Sequence, residues 1–528
     1  MSAPRRLAVL AAAAAAGCAS PTEFVVVTVA ARDAVHDAHS ITVSLTNAGT
    51  TRMDNFELGA REFPVTFSIS APGRTGELAI AVDAADDAGL VVGRGSATTA
   101  VSADAAAVML ESTDFVVNTD FAGDQYPSSD FEASGFQLAA LPDGTWTAVY
   151  RDGCAASSCS LFARRFDRRG RPVSTQAAAG TNAFVVTSKP TTLGTTPAIA
   201  SSPTATVAVW DFFDPGTGGA TGIACRAING DGGLGTSQVA ITTDPAESAD
   251  VVSATAIAGG NFAVTWKTTL QPSNIDAIRM ATIKPDCTPV LAAQTVGQGA
   301  ATADILRRGS LAATADHVVF AWITNGELHT RLAAATGALA APEVALIKAT
   351  ATEEVEHARV VAVPGGGFAI AVRWTSKTAT TGPSRIDLFR VSADGALVGA
   401  PTLVTTRSGN EFVNSESFGI AARADAATGD QVMVVWHACD TLGDDSMCGV
   451  FGRVLRRDPA TDAFVAVPDA SGGSDGFSIP TTTQGDQRRP SVVALPDGFV
   501  AAWSDTSGKP PDTAGLSVRA RIVYPPAP

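Results

Sequence analysis

The sequence lacks several of the local motifs that mark enzymes and metal sites. Its 528 residues contain no His-Glu-x-x-His and no phosphate-binding loop, and the six histidines are scattered along the chain. No Cys-x-x-Cys pair occurs, which argues against zinc, and no Asp-x-Asp-x-Asp-Gly run occurs, which argues against a calcium loop. We therefore expect no cofactor and no catalytic activity, with calcium at the Gly-Asp-Gln sequences of Asp124 and Asp486 as an alternative.

The chain also has fewer basic than acidic residues, and it has few long apolar runs. The chain has 37 Lys and Arg against 52 Asp and Glu, which gives a net charge of −15. An acidic surface repels phosphate backbones, so we expect no nucleic-acid partner. After the first residues no stretch approaches the roughly twenty apolar residues that a transmembrane helix needs. A hydrophobic content of 45% is still enough to bury large cores.

The N-terminus has the pattern of an export signal. Arg5 and Arg6 precede an apolar run from Leu7 to Ala16, which is too short to span a bilayer. The following Gly and Cys18 complete a sequence that resembles the lipobox of bacterial lipoproteins, although Ala15 stands where that pattern usually has Leu. The resemblance implies a lipidated Cys18 and an exported protein held at the outer membrane or cell surface only by its lipid. The alternative is an ordinary signal peptide that is cut nearby.

Six cysteines remain after Cys18, an even number that suits an oxidising compartment. Two pairs enclose short loops at equivalent places in their repeats, and two further cysteines fall in neighbouring repeats. We expect disulfides within the first two pairs and a third bond between the repeats, although six cysteines allow fifteen connectivities. The candidate pairs are Cys154 with Cys159, Cys439 with Cys448, and Cys225 with Cys287.

An aromatic residue recurs at about fifty- to seventy-residue steps, with several short apolar strands in each step, a period typical of β-propellers. Each unit has an inner strand, a tight turn, a strand that ends on the aromatic, a variable loop and a third strand with arginine. Four strands per unit and seven units predict a seven-bladed ring, with the tryptophans packed between blades. The phased aromatics are Tyr150, Trp210, Trp266, Trp322, Trp374, Trp436 and Trp503.

The seventh unit ends before a fourth strand, and a matching fragment precedes the first unit. Residues 115–125 repeat the Phe, Thr and Gly-Asp-Gln spacing of residues 477–487, which belong to the sixth unit. We predict that the first copy docks on blade seven as its fourth strand. The ring would then be closed by an N-terminal strand and have no open edge there.

The segment before the repeats alternates apolar and polar residues in some six short strands, which predicts a β-sandwich of immunoglobulin-like size. The predicted fold is therefore all-β, with an N-terminal β-sandwich and a seven-bladed propeller. Its predicted divisions are a signal peptide at 1–17, a linker at 18–23, the sandwich at 24–112 and the propeller at 113–528.

Residues 114–524 resemble the repeats of bacterial secreted and surface β-propeller proteins. The likeness lies in the strings Asn-Thr, Gly-Asp-Gln, Pro-Ser-Val, Leu-Pro-Asp-Gly-Phe and Trp-Ser-Asp, and it is sharpest in the seventh unit. It implies a propeller in an extracytoplasmic setting. Many such proteins serve in adhesion or binding.

Recognition on such a scaffold is expected in the loops between second and third strands, because loop length varies there. We predict a lipid-anchored envelope protein that acts as a binding scaffold for an unknown protein or glycan. The alternatives are an extracytoplasmic propeller enzyme acting on polysaccharide and a structural envelope component. The candidate binding-face residues are Asp211, Asp214, Asp440, Asp444, Asp445 and Asp505.

Overall fold

Strands dominate the computed structural model, and its chain divides into two compact units, Met1–Glu111 and Ser112–Pro528. No helix in the described part of the chain is long and apolar enough to cross a membrane. The structure describes residues 24–119, 135–155, 158–175, 183–187, 197–214, 220–244, 247–270, 272–299, 309–377, 384–406, 418–439, 448–468, 476–513 and 515–525.

The N-terminal unit contains one connected sheet of seven strands in the order β3-β2-β5-β6-β7-β1-β4. Alternate residues of β1 and β5 are buried in one core, as the period of two predicts. The rings of Phe56 and Phe67, from the two end strands, stack at 5.3 Å, so the sheet curves round this core. The strands are β1 (Phe24–Ala31), β2 (Ser40–Asn47), β3 (Thr50–Glu57), β4 (Val65–Ser70), β5 (Glu77–Ala85), β6 (Val91–Ala100) and β7 (Ala105–Ser112).

Strand β3 was not among the six expected strands. Almost all of its side chains are exposed, so it has no buried face to produce an alternating signal. It pairs with β2 along its whole length, from Asn47 opposite Thr50 to Ser40 opposite Glu57. A tight turn with Ala48 and Gly49 at positive φ connects the two strands.

The second unit is a seven-bladed β-propeller, which confirms the predicted propeller and blade number. Consecutive antiparallel strands make each blade, apart from a short strand β8 (Phe115–Val116) in blade seven. A 3₁₀ turn at Ala258–Gly260 joins two strands of blade three.

The strand bounds follow the chain from blade one to blade seven. Blades one to four are formed by β9 (Phe136–Ala140), β10 (Trp146–Ala155), β11 (Ser158–Phe166), β12 (Ala183–Val185); β13 (Ala198–Ser201), β14 (Thr206–Asp214), β15 (Ala220–Ile228), β16 (Val239–Thr242); β17 (Glu247–Ala256), β18 (Phe262–Leu270), β19 (Ile275–Ile283), β20 (Pro289–Gln298); and β21 (Ser310–Ala313), β22 (His317–Thr324), β23 (Glu327–Ala334), β24 (Val344–Ile347). Blades five to seven are formed by β25 (Glu353–Ala362), β26 (Phe368–Ser376), β27 (Arg385–Val391), β28 (Leu397–Thr405); β29 (Phe418–Asp425), β30 (Gly429–Cys439), β31 (Cys448–Arg457), β32 (Phe464–Ala466), β33 (Phe477–Ser478); and β34 (Gln487–Ala494), β35 (Phe499–Asp505), β36 (Ser517–Val523) with β8.

The phased tryptophans form the cores between blades. Trp210 of blade two packs in one cluster with Val149 and Leu161 of blade one, and Trp503 of blade seven packs with Met433 of blade six. The other phased tryptophans take the same place against the preceding blade. Burial of such large side chains dominates the packing energy, and it leaves these rings unable to stack on a sugar.

Arginines of the third strands join neighbouring blades. In five blades the third strand carries an arginine two residues after the residue that pairs with the phased aromatic. This arginine donates hydrogen bonds to main-chain carbonyls in the outermost strand of the preceding blade or next to it. Arg226 Nη1, for example, lies 2.8 Å from the carbonyl oxygen of Val186. These arginines are Arg164, Arg226, Arg331, Arg453 and Arg521.

Candidate functional site

One face of the propeller, at which second strands end and third strands begin, is called here the loop face. In each blade, one residue of the second strand directly follows the phased aromatic position, near the loop face. This residue is ionisable in five blades. In blade five the aligned position is Val372, two residues before Trp374 on the same side of the strand. The residues that follow are Arg151, Asp211, Lys267, Ile323, Arg373, His437 and Ser504.

A cavity of about 110 Å³ lies between the innermost strands of blades one, five, six and seven. Its polar lining comes from Gln137, Arg359 and Ser491, and its apolar lining includes Phe418 and Pro490. The guanidinium of Arg359 lies over the ring of Phe418 at 5.9 Å. The accessible lining is mostly polar, so a ligand group in this cavity would meet hydrogen-bonding side chains.

Two β-bulges occur in the cavity strands towards the loop face. The pairing of β25 with β26 shifts between Val355 and His357, which leaves Glu356 as an extra residue. The pairing of β34 with β35 shifts after Arg488, and Arg489 in the irregular segment has a φ of 56°. Bulges redirect side chains and are frequent beside active sites. Here they change the course of the strands at Glu356 and Arg489.

His437 of blade six lies beside this second bulge and is 3% exposed. Burial, followed by the positive charges of Arg488, Arg373 and Arg489, lowers the pKa of His437 to about 3. The main-chain N–H of Arg489 donates to Nδ1 of His437 at 3.3 Å, which requires a lone pair on that nitrogen. The imidazole is therefore neutral near pH 7, and its proton is on Nε2.

The residues Glu356, Arg373, His437, Arg488 and Arg489 are called the mouth cluster. Nη1 of Arg373 lies 3.4 Å from Oε2 of Glu356, whose side chain is 21% exposed. Glu356 also lies 4.0 Å from Nε2 of His357. The mouth cluster thus places a carboxylate, a neutral imidazole and three guanidinium groups at the ends of blades five, six and seven.

Asp486 supports this arrangement from the loop before β34. One carboxylate oxygen accepts the main-chain N–H of Cys448 at 2.9 Å, and the other accepts Nη2 of Arg488 at 2.8 Å. The amide of Gln487 donates to the carbonyls of Gln484 and Gly485 at 2.8 and 2.9 Å. The second Gly-Asp-Gln sequence therefore stabilises its loop through hydrogen bonds.

The part of the chain that the structure describes contains no group of three or more His, Cys, Asp or Glu side chains arranged for a metal ion. The first Gly-Asp-Gln sequence, with Asp124, lies outside the described residues. Calcium therefore stays an alternative that these observations leave untested.

The two candidate aspartates whose side chains are described are buried. Asp211 follows Trp210 on β14 and is 5% exposed. Asp505 is buried with Arg519, and their Oδ2 and Nε atoms lie 2.8 Å apart. Asp505 also accepts hydrogen bonds from Ser507 and Gln487, so its carboxylate stabilises the end of blade seven.

The structure describes less of the other four candidate residues of the binding face. The main chain of Asp214 pairs with Ala220 at the end of β14, and its side chain lies outside the described set. Asp440, Asp444 and Asp445 lie outside the described residues altogether.

Two of the three expected disulfides are confirmed. Cys225 of blade two bonds to Cys287 of blade three, and Cys439 bonds to Cys448 at the loop face of blade six. The side chains of Cys154 and Cys159 lie outside the described residues, as does Cys18.

The mouth cluster was missed at the sequence level because its members are ordinary residues in separate repeats. Glu356, His437 and Arg489 belong to blades five, six and seven, and no short motif contains two of them. The available signal was the ionisable residue after the phased aromatic, which includes Arg373 and His437.

Comparisons with known proteins concern the fold. No protein family and no curated protein sequence matches the chain. The chain is similar to α-L-arabinanase of Penicillium chrysogenum complexed with arabinobiose, at 10% identity and a TM-score of 0.39 over 62% of this chain and 93% of that one. It is similar to polysaccharide lyase Uly1, at 10% identity and a TM-score of 0.45 over 78% and 99% of the two chains. A third similar structure is the Cps50 (Swd1) β-propeller domain of Myceliophteria thermophila, at 11% identity and 0.38 over 78% and 100%.

The expectation that the chain is not an enzyme is withdrawn, because propellers of similar fold include an arabinanase and a polysaccharide lyase, so this fold does not exclude catalysis. The expectation relied on missing short motifs. That reasoning fails for a propeller, since loops from separate blades meet at one face and a site needs no contiguous motif. At these identities the likeness identifies neither reaction nor residues.

Proposed function

We propose that this protein is an extracytoplasmic propeller enzyme that acts on polysaccharide at the mouth cluster. The observation that carries the proposal is the convergence of Glu356, His437 and Arg489 from three blades beside the cavity strands. Side chains from separate blades that converge around one group of strongly lowered pKa, here His437, are typical of active sites.

Glu356 is the proposed acid-base residue. It is the carboxylate of the mouth cluster, a bulge displaces it from the regular strand register, and its side chain is 21% exposed. The guanidinium of Arg373 forms an ion pair with this carboxylate, with Nη1 3.4 Å from Oε2. A carboxyl group in such a position can exchange a proton with a glycosidic oxygen or with a water molecule.

His437 is the proposed positioning residue. Its Nδ1 accepts the main-chain N–H of Arg489 in the irregular segment, which holds that residue at its positive φ. Because the imidazole is buried and neutral, it fixes this backbone without adding a charge. Arg488 and Arg489 then remain oriented beside the cavity strands.

Turnover by the full chain tests the proposal. Arabinan, polygalacturonate, dextran and dextran sulfate are incubated with the protein, and new reducing ends and unsaturated products are measured. We expect cleavage of at least one polymer and a loss of about a hundredfold or more in Glu356→Gln. Glu354→Gln, on the same strand, is the matched control and should retain activity. No cleavage of any polymer, or full activity of Glu356→Gln, would refute the proposal.

We further propose that the chain is exported and lipid-anchored through Cys18. The disulfides Cys225–Cys287 and Cys439–Cys448 support an oxidising compartment. Fractionation of cells that express the wild type or Cys18→Ala tests the anchor. We expect the wild type in the membrane fraction and the variant in the soluble one; the same distribution for both would contradict it.

We also propose that β8 closes the ring as the fourth strand of blade seven, and that the N-terminal sheet forms a β-sandwich around its single core. Val116 pairs with Arg519 of β36, and Arg164 of blade one donates to the carbonyl of Val117 at 2.7 Å. This is the bond that other blades form with the outermost strand of their neighbour. Phe115 supports the same assignment, since its ring lies 6.0 Å from that of Phe166.

A further inference from the structure

Cationic side chains outnumber carboxylates around the described part of the mouth. Arg359 lines the cavity, and the mouth cluster adds three arginines, of which Arg373 pairs with Glu356 and Arg488 pairs with Asp486. His437 adds no positive charge, because it is neutral. The excess is local, since the whole chain carries a net charge of −15. A cluster of cationic side chains attracts an anionic group of a ligand at that place, even where the rest of the surface is acidic.

Arg488 is the accessible member of this group. Its side chain is 39% exposed and donates through Nη2 to Asp486 at 2.8 Å. Its buried Nε has no hydrogen-bond partner among the residues that the structure describes. A guanidinium presents five N–H donors in a planar fork, so Arg488 can hold Asp486 and still donate to an anionic ligand.

Arg489 is held beside it by the main chain. The bulge in β34, the φ of 56° and the N–H bond to Nδ1 of His437 together determine where its side chain leaves the strand. The next residues, Pro490 and Ser491, line the cavity. Arg488 and Arg489 are therefore immediately next to the cavity-lining segment of the same strand.

The state of His437 reflects its burial and the charges of the same arginines. After burial, the next causes of its low pKa are the charges of Arg488, Arg373 and Arg489. A field that opposes a positive imidazole favours a negative group at the same place. The cavity beside it adds the side chains of Gln137, Arg359 and Ser491, which can form hydrogen bonds with the hydroxyl groups of a sugar.

We infer that the substrate of this site is an acidic polysaccharide, in which an anionic group on the sugar is bound by Arg488 and Arg489 while the ring contacts the cavity wall. The inference rests on the proposed function and names its substrate class. A uronate carboxylate matches the planar fork of arginine, and a sulfate ester has related chemistry. Of the two, the uronate is the expected group, because its two oxygens suit bidentate pairing.

Binding of defined polymers to the full chain tests the inference. Affinity for polygalacturonate, dextran sulfate and neutral dextran is measured by calorimetry at low and high salt. We expect polygalacturonate to bind, salt to weaken the binding, and Arg488→Gln to weaken it about tenfold. Arg489→Asn, which tolerates positive φ, should have a similar effect. The matched control is Arg456→Gln. Arg456 is exposed near the end of β31 that lies away from the loop face, so this variant should bind polygalacturonate like the wild type.

The outcomes separate this inference from the proposed function. Equal binding of dextran, or wild-type affinity in both Arg488→Gln and Arg489→Asn, would overturn the inference even if a neutral polymer is cleaved through Glu356. Arginine-dependent binding of polygalacturonate without cleavage of any polymer would support the inference and refute the proposed enzyme. Arginine-dependent binding of dextran sulfate alone would support an anionic substrate but show that the bound group is a sulfate ester and not a uronate carboxylate.

Discussion

His437 makes the free energy of unfolding depend on pH in a way that can be calculated. Its pKa is about 3 in the folded protein, against about 6.5 for a histidine in an unfolded chain. Between these two values the unfolded state binds a proton that the folded state does not. Acid therefore favours unfolding, and the stability falls as the pH falls from 6.5 towards 3. More than about one pH unit above 6.5 this histidine contributes almost no pH dependence.

The expected size is about 1.4 kcal/mol for each pH unit within this window. Between pH 7 and pH 4.5 the contribution of His437 to stability thus falls by about 2.5 kcal/mol. The variant His437→Asn removes the titrating group and keeps a side-chain oxygen that can accept the main-chain N–H of Arg489. Between pH 7 and pH 4.5 the free energy of unfolding of His437→Asn should therefore fall by about 2.5 kcal/mol less than that of the wild type.

Urea unfolding at pH 7 and pH 4.5, at constant ionic strength, measures the difference. Carboxylates titrate in both proteins, so their contribution cancels when the two pH dependences are subtracted. His39→Asn, in the N-terminal unit, controls for the loss of a histidine as such. The reasoning is refuted if wild type and His437→Asn show the same pH dependence.

Two further expected outcomes concern stability. Replacing Cys225 and Cys287 by alanine should lower the free energy of unfolding by about 4 kcal/mol in the chain-entropy account, because the bond closes a loop with a sequence separation of 62. Urea unfolding measures this loss, and a loss below about 1 kcal/mol would contradict the prediction. Asp505→Ala should lower the free energy of unfolding by about 3–5 kcal/mol, since it leaves the buried Arg519 without its carboxylate; wild-type stability in the same experiment would show that the pair contributes nothing.

The propeller could be predicted from sequence because its core is repetitive. Trp210, Trp266 and Trp322 mark the same position in successive units, and each is buried against the preceding blade. The inter-blade arginines recur in the same way. The pairing of Cys225 with Cys287 could be expected for a related reason, since strand positions in adjacent repeats become neighbours in space.

The candidate site could not be predicted in that way. Glu356 and Arg489 owe their positions to bulges, which are departures from the repeat and leave no regular signal. Asp505 was expected at a binding face because it begins a long loop between the second and third strands of blade seven, but its carboxylate is buried in an ion pair with Arg519. Only the side-chain surroundings distinguish such a buried partner from an accessible ligand-binding group.

The sequence by itself determined the strand period, the number of blades and the phase of the buried aromatics. These properties depend on local alternation of apolar residues and on a repeat, both of which are written along the chain. Only the tertiary structure decided that Glu356, His437 and Arg489 meet at one mouth, and that His437 is neutral there. Their proximity results from closing blades five, six and seven around a common axis, and the charge state of the imidazole follows from the burial and the arginine field that this closure creates.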